Sequence, residues 1–304
     1  MDVRTNFKTP RAKRLGNFKR RRVIFVWTVL AVPIVHWCVF WLYVNVDSIL
    51  LAFKLPVGTW THLNFKTVFD NIRTGDIGVA IKNTLLYFGS GVLVTMPSSL
   101  FISFFLYKRI AGYRFFRVMF YLPGIISAVA LTAVYKEFLK PNGVLTAVLG
   151  ALGAKPPAVG YLYTDATATG AILGYCIWTG LAANMLLFCG TMERIPADVV
   201  ESAKIEGISP LHEIVSITLP LIWPTISTLL VFAMTGLFGA SGPILLFTNG
   251  RYGTTTISFW IFQQVYEHGN YNIVSAAGLV FTVVGVPVIL FFRWLMERVG
   301  NDEY

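Results

Sequence analysis

The strongest constraint on this chain is a set of six apolar stretches, at roughly 23–45, 83–107, 115–136, 169–191, 222–247 and 273–295. Each is long enough to cross the hydrocarbon core of a bilayer, which takes about 20 residues in helical form. Inside that core no water pairs with backbone amides, so a crossing segment has to satisfy its own hydrogen bonds. Unbroken apolar runs without strand-like alternation do this as helices. Composition agrees: 55% of the residues are hydrophobic and only 13% charged, about half the charged share of a soluble domain. The predicted class is an all-α integral membrane protein with six transmembrane helices. Pro33, Pro97, Pro123, Pro224 and Pro287 fall within or near these stretches, where neighbouring helices re-satisfy the backbone groups a proline frees.

A formal net charge of +10 would suit a nucleic-acid binder if it were spread over a surface, but nine of the 25 basic residues lie in the first 22 positions. Directly ahead of a long apolar run, this is the positive-inside pattern of a cytoplasmic end, and no nucleic-acid partner is expected. The run after Arg22 continues to about Phe53 without a small-residue cleavage site, unlike a signal-peptide core of roughly 7–15 residues. Residues 1–22 thus read as a basic cytoplasmic tail, 23–80 as the first transmembrane helix and an outer loop, and 81–300 as a core of five further helices. With the N-terminus inside, the inner segments hold seventeen of the basic residues, and an even number of crossings brings the C-terminus inside as well. The expected location is the cell membrane, multi-pass, with the lipid bilayer as surroundings.

Cys38, Cys176 and Cys189 lie within apolar runs at no metal-ligand spacing, and His36, His62, His212 and His268 share none. There is no GxxxxGK[ST] phosphate loop. No catalytic set, metal site or cofactor site is therefore expected on this chain.

One inner segment breaks the basic pattern. Residues 193–221 carry Glu193, Asp198, Glu201, Glu206 and Glu213 against Arg194 and Lys204, and the segment is too long for a simple turn. Pro196 suits a first helical position and Asp198 favours that first turn. Gly207 suits the left-handed residue that ends a helix. Ser209 and Pro210 then read as an N-cap and first position, with Leu211, Ile214, Val215 and Thr218 as an apolar stripe, until Leu219-Pro220 closes the second helix. Helix, glycine elbow, helix is the reading. An acidic segment is a poor fit to an anionic inner leaflet. Packing against the chain's own helix ends and docking on a partner protein both stay open.

Glu201-Ser202-Ala203, Gly207 and Ile217-x-Leu219-Pro220, at these spacings, resemble the EAA signature of permease subunits of binding-protein-dependent ABC importers; Ser202 stands where the family has a second alanine. Asn83-Thr84-Leu85, Tyr121-Leu122-Pro123, Ile195-Pro196 and Thr248-Asn249-Gly250 resemble its carbohydrate branch. The resemblance spans about 80–300 and implies a type I ABC importer permease fold. It implies that the loop is the coupling helix seated in an ATPase subunit, with Glu201 pairing a basic residue there and Gly207 forming the elbow. Implied partners are a second permease subunit, expected to make a heterodimer, two ATP-binding subunits that hold ATP and Mg, and an extracytoplasmic solute-binding protein. The implied cargo is a sugar or oligosaccharide. Glycerol phosphate or another polar metabolite is the alternative within the family, and a secondary carrier the alternative outside it.

Polar and aromatic residues within the spans are the candidates for a substrate path: Tyr135 in the third, Tyr175, Trp178 and Asn184 in the fourth, Phe238 and Ser241 in the fifth. Aromatic faces beside hydrogen-bonding groups suit a sugar. The competing reading is interfacial placement and helix–helix contact. The stretch 235–241 lacks the asparagines with which the maltose permease of this family binds sugar. Gly170 and Gly174, with Gly236 and Gly239, suit close helix packing between subunits.

Overall fold

The computed structural model describes residues 11–153, 157–238 and 242–301, and these residues are helical with no strand beyond an isolated bridge between Lys54 and Trp60. α1 (Arg11–Trp37) begins within the basic tail and passes through a wide π turn, Cys38–Tyr43, into α2 (Val44–Ala52). α3 (Leu63–Thr74) lies between the first and second spans. α4 (Asp76–Ser90), a π turn at Gly91–Thr95 and α5 (Met96–Tyr107) form the second span, seven residues longer at its start than expected. α6 (Tyr113–Ile125) and α7 (Ala128–Leu139) follow, then α8 (Val144–Ala151), α9 (Ala168–Met192) and α10 (Ala197–Ile205). α11 (Pro210–Glu213) continues through a π turn, Ile214–Thr218, into α12 (Leu219–Thr235). A short 3-10 turn (Gly236–Phe238), α13 (Gly242–Phe247), α14 (Ile257–Tyr266) and α15 (Tyr271–Asn301) complete the order. Five of these helical runs are long and apolar enough to cross a membrane, and a bent pair supplies a sixth.

Two spans differ from the sequence expectation. The third, expected as one helix over 115–136, is broken: α6 and the helical stretch from Ala128 meet at 107°. Pro123 withholds one amide near the end of α6, and Ile126 and Ser127 are extended, so the helix stops before α7 restarts it. The fifth span, expected at 222–247, runs from Pro210 to Thr235 instead. Leu219-Pro220 therefore does not close a helix. Pro220 has no N–H to offer Ser216, and the ladder widens just ahead of it, with the Leu219 amide reaching back to the Ile214 carbonyl. Pro97 follows the π turn of the second span in the same register, where the Met96 amide reaches Gly91.

Apolar contacts fix how the spans sit together. Met96, Phe104, Phe188, Met192, Ile214, Ile222 and Ile226 are buried against one another, joining α5, α9 and α12. Small residues let α5 approach α9 closely. Ser99 and Ser103 are fully buried, and the Ser103 hydroxyl donates to the Met185 carbonyl at 3.4 Å. Gly174 makes a close contact inside the chain, where the Tyr135 hydroxyl lies 3.1 Å from where a Cβ would be. Cys189 is buried as a small apolar residue would be, whereas Cys38 is exposed on the first span. That span, from Arg20 to Asp47, has no buried side chain, and its wall of Val, Ile, Phe and Trp faces outward.

Candidate coupling surface and substrate path

α10 opens after Pro196, which is the N-cap position with extended backbone rather than the first helical residue. Its end is a Schellman turn: the Gly207 amide donates to the Lys204 carbonyl at 3.2 Å and the Ile208 amide to the Ala203 carbonyl at 3.2 Å. That geometry requires the left-handed conformation at Gly207, where φ is 67°. The Ser209 hydroxyl then accepts from the His212 amide at 3.4 Å, capping α11. Helix, glycine elbow and helix are thus all present, with the second helix continuous with the fifth span.

Within the signature, Glu201 and Ser202 are exposed, Ala203 is buried, and Ile217, Leu219 and Pro220 are half-buried, Leu219 against the α5–α9–α12 cluster. Ser202, the departure from the alanine pattern, thus lies where its hydroxyl needs no buried partner. The expected stripe divides in two. Ile214 and Thr218 turn into the core, whereas Leu211 (64% exposed) and Val215 (63%) turn out; Ile205 (87%) and the acids Asp198, Glu201 and Glu206 of the preceding helix and elbow are exposed too. Packing against the chain's own helix ends therefore accounts for one face, and the other is left open.

The remaining two acids have partners on this chain. Glu213, 7% exposed, forms an ion pair with Lys108 at the end of α5, and Lys108 Nζ also lies 5.5 Å from the Phe104 ring centroid. Glu193 stands 3.7 Å from Arg117 on α6. These contacts put the 108–117 turn and the 193–221 loop on the same side of the bundle. They pair two of the basic residues of that turn with acids of the loop. Sequence reasoning counted Lys108 and Arg117 only toward orientation; their opposite charge to the loop was the available signal.

Two further motifs meet at the other end of the bundle. The buried Asn83 amide donates to the Gly253 carbonyl at 2.6 Å and the Thr255 carbonyl at 2.8 Å, and the Thr84 hydroxyl accepts from the Ile257 amide at 3.0 Å. Thr248 and Thr254 pair their hydroxyls at 2.6 Å, and Gly250, at φ 75°, leaves space that a Cβ would take only 2.5 Å from the Phe259 ring. Asn83-Thr84 and Thr248-Asn249-Gly250 are halves of one clamp that fixes the loop leading into α14.

Of the candidate path residues, three come together. Tyr135 and Tyr175 meet edge to face at 5.3 Å, and Trp178 lies 6.2 Å from Tyr135 and 6.4 Å from Tyr175 between ring centroids. Phe247 of α13, which sequence reasoning passed over as simply apolar, completes the group at 4.9 Å from Tyr175. The Tyr135 hydroxyl donates to the Ala171 carbonyl at 3.0 Å and Thr132 donates to the Tyr175 hydroxyl at 3.3 Å, so the buried polar ends are satisfied. Trp178 is the exposed member. Asn184 stands apart, on a cavity of about 290 Å³ with Tyr87, Ser90, Thr95 and Cys176. Phe238 closes the 3-10 turn, and Ser241 lies outside the described residues.

Comparison with known proteins decides the family. Residues 83–301 match the pattern of the binding-protein-dependent transport system inner membrane component. The chain belongs to this family. It is 26% identical over 279 residues to the multiple sugar-binding transport system permease protein MsmF of Streptococcus mutans, covering 87% of this chain and 92% of that protein. It is 24% identical to the lactose transport system permease protein LacF of Rhizobium radiobacter, over 93% of this chain and 97% of the other. The sn-glycerol-3-phosphate transport system permease protein UgpA of Shigella flexneri is 26% identical over 78% of this chain and 80% of its own. A bacterial ABC transporter involved in import of the acidic polysaccharide alginate contains a chain of the same fold, with TM-score 0.79, 25% identity, and coverage of 94% and 99%. The same kind of transporter was crystallised with an alginate pentasaccharide-bound periplasmic protein (TM-score 0.78, 25% identity, coverage 94% and 97%). This permease is accordingly an all-α, multi-pass component of the cell membrane with the ABC importer permease fold.

Proposed function

We propose that this permease passes a sugar or oligosaccharide across the membrane, driven by ATP hydrolysis on separate subunits. The observation that carries the reading is the exposed elbow over 197–215, whose outward apolar side chains and acids are left uncovered among the described residues while its continuation is a spanning helix. Exposed apolar side chains beside matched charges suit a protein partner. In this reading 193–221 is the coupling loop on the cytoplasmic side. Glu201 pairs with a basic residue of the ATPase, Ala203 and Gly207 shape the elbow, and Ile217, Leu219 and Pro220 carry its movement into the fifth span. ATP and Mg belong to two ATP-binding subunits. The other partners are a second permease, unlike this one, and an extracytoplasmic solute-binding protein. Residues 1–22 form the cytoplasmic tail, 23–80 the first span and outer segment, and 81–300 the transporting core.

Tyr135, Tyr175 and Trp178 are the path residues best supported by geometry, and Asn184, Phe238 and Ser241 remain candidates on the sequence alone. Sugar relatives and an aromatic group with one exposed face favour a carbohydrate. Lys136, whose Nζ lies 6.0 Å from the Phe247 ring, favours the second reading, glycerol phosphate or another anionic metabolite. Uptake by the reconstituted transporter tests both. Trp178→Ala is expected to raise the transport KM for a sugar roughly ten-fold, the size of effect that losing one group from a binding pocket has, with complex assembly and basal ATPase rate unchanged. Unchanged KM for a disaccharide, with altered uptake of glycerol 3-phosphate in Lys136→Gln, would favour the second reading.

A further inference from the structure

The turn that joins α5 to α6 separates two cavities with a common wall. One, of about 280 Å³, is polar and is lined by Tyr107, Arg109, Tyr113, Arg117, Glu193 and Leu106. The other, of about 210 Å³, is apolar, with Phe101, Phe105, Ile110, Phe116 and Phe120 around it and Leu106 again on its wall. The spans end here, at Tyr107 and Tyr113, on the side that carries the coupling loop. Arg109 is held at φ 55° and makes no ion pair among the described residues. The Arg117 Nε is buried without a hydrogen-bond partner among the described residues, and its ion pair to Glu193 is long at 3.7 Å. Arg114, whose Nε donates to the Tyr113 hydroxyl at 3.2 Å, adds positive charge beside the polar cavity, so the arginines outnumber the one acid on its wall.

We propose that the paired cavities bind one anionic phospholipid of the leaflet on the coupling-loop side. Its phosphate sits between Arg109 and Arg117, and one acyl chain lies in the phenylalanine-lined groove. Guanidinium groups recognise phosphate oxygens by paired hydrogen bonds, and basic pockets between helices at the inner surface suit anionic headgroups. A free phosphate would use only the polar cavity and would leave the apolar one unfilled. The adjacency of the two cavities, which share Leu106 as a wall residue, is what selects a lipid. Bound there, the phosphate shares Arg117 with Glu193, so the lipid touches one of the loop's two anchors. The inference rests on the membrane location and not on the cargo.

Native mass spectrometry of the complete purified transporter tests it, with dioleoylphosphatidylglycerol, dioleoylphosphatidylcholine or inorganic phosphate added. Phosphatidylglycerol is expected to be retained in preference to phosphatidylcholine and not displaced by millimolar phosphate. Each of Arg109→Gln and Arg117→Gln is expected to weaken that retention about five-fold, which corresponds to ~1 kcal/mol per basic side chain at an anionic surface, with phosphatidylcholine retention unmoved. Arg109→Gln leaves the Arg117–Glu193 contact intact, and Arg109→Lys is expected to restore retention, which keeps the test independent of assembly defects. Equal retention of the two lipids, retention unchanged in Arg109→Gln, or displacement by phosphate would each overturn the proposal.

Discussion

Glu213→Ala is expected to destabilise the coupling region by about 3 kcal/mol, because removing one partner of a buried ion pair leaves the other charge uncompensated. The figure sits at the low end of the range for such pairs, since the Lys108 side chain retains 20% exposure and can draw on water. Glu213 lies at the last turn of α11, immediately before the π turn, so its loss frees the start of the long helix that carries the elbow into the membrane. The expected phenotype is a lower unfolding temperature of the assembled transporter and reduced uptake, both measurable on the same preparation. Exchanging the pair, Lys108→Glu with Glu213→Lys, should recover much of the loss. If the double exchange behaves no better than either single change, the pair does not brace the loop.

Gly207→Val acts differently. A Cβ at Gly207 meets nothing within 4 Å, so the cost does not come from crowding. It comes from the backbone: φ is 67°, a conformation that costs a β-branched residue roughly 1–3 kcal/mol. Relief of that strain requires the Schellman turn to open, which changes the angle between α10 and α11 while leaving every spanning helix as it was. Membrane insertion and assembly are expected to be normal, with uptake lost and ATP hydrolysis continuing without transport. Gly207→Asn, which tolerates the left-handed region, should retain most of the function. Wild-type uptake by the valine variant would count heavily against a rigid elbow.

The two experiments separate what was legible in the sequence from what was not. The number of spans was legible because crossing a bilayer is a one-dimensional requirement on length and polarity, whereas the break in the third and the bounds of the fifth were not. The elbow was legible because its determinants, Gly207, Ser209 and Pro210, act on their immediate neighbours. Lys108–Glu213 and the Asn83 clamp join segments far apart in the chain, and a single sequence carries no register between them. Proline marked the right regions without revealing the outcome: Pro123 precedes a sharp break, whereas Pro220 is absorbed by a widened turn. Among the path residues, Tyr135, Tyr175 and Trp178 were found because polar or amphipathic rings are conspicuous in an apolar span. Phe247 was missed because nothing distinguishes it from lipid-facing phenylalanines until its neighbours are known.

Site-directed labelling of the loop tests the central claim most directly. Ser202→Cys, in a background with Cys38, Cys176 and Cys189 replaced, puts a thiol at an exposed position of α10. A membrane-impermeant maleimide is expected to label it in inverted vesicles stripped of the ATPase subunits, to lose access when those subunits are restored, and to leave right-side-out vesicles unlabelled. Labelling from the outer face, or equal labelling with and without the ATPase, would contradict a cytoplasmic loop driven by a nucleotide-hydrolysing partner.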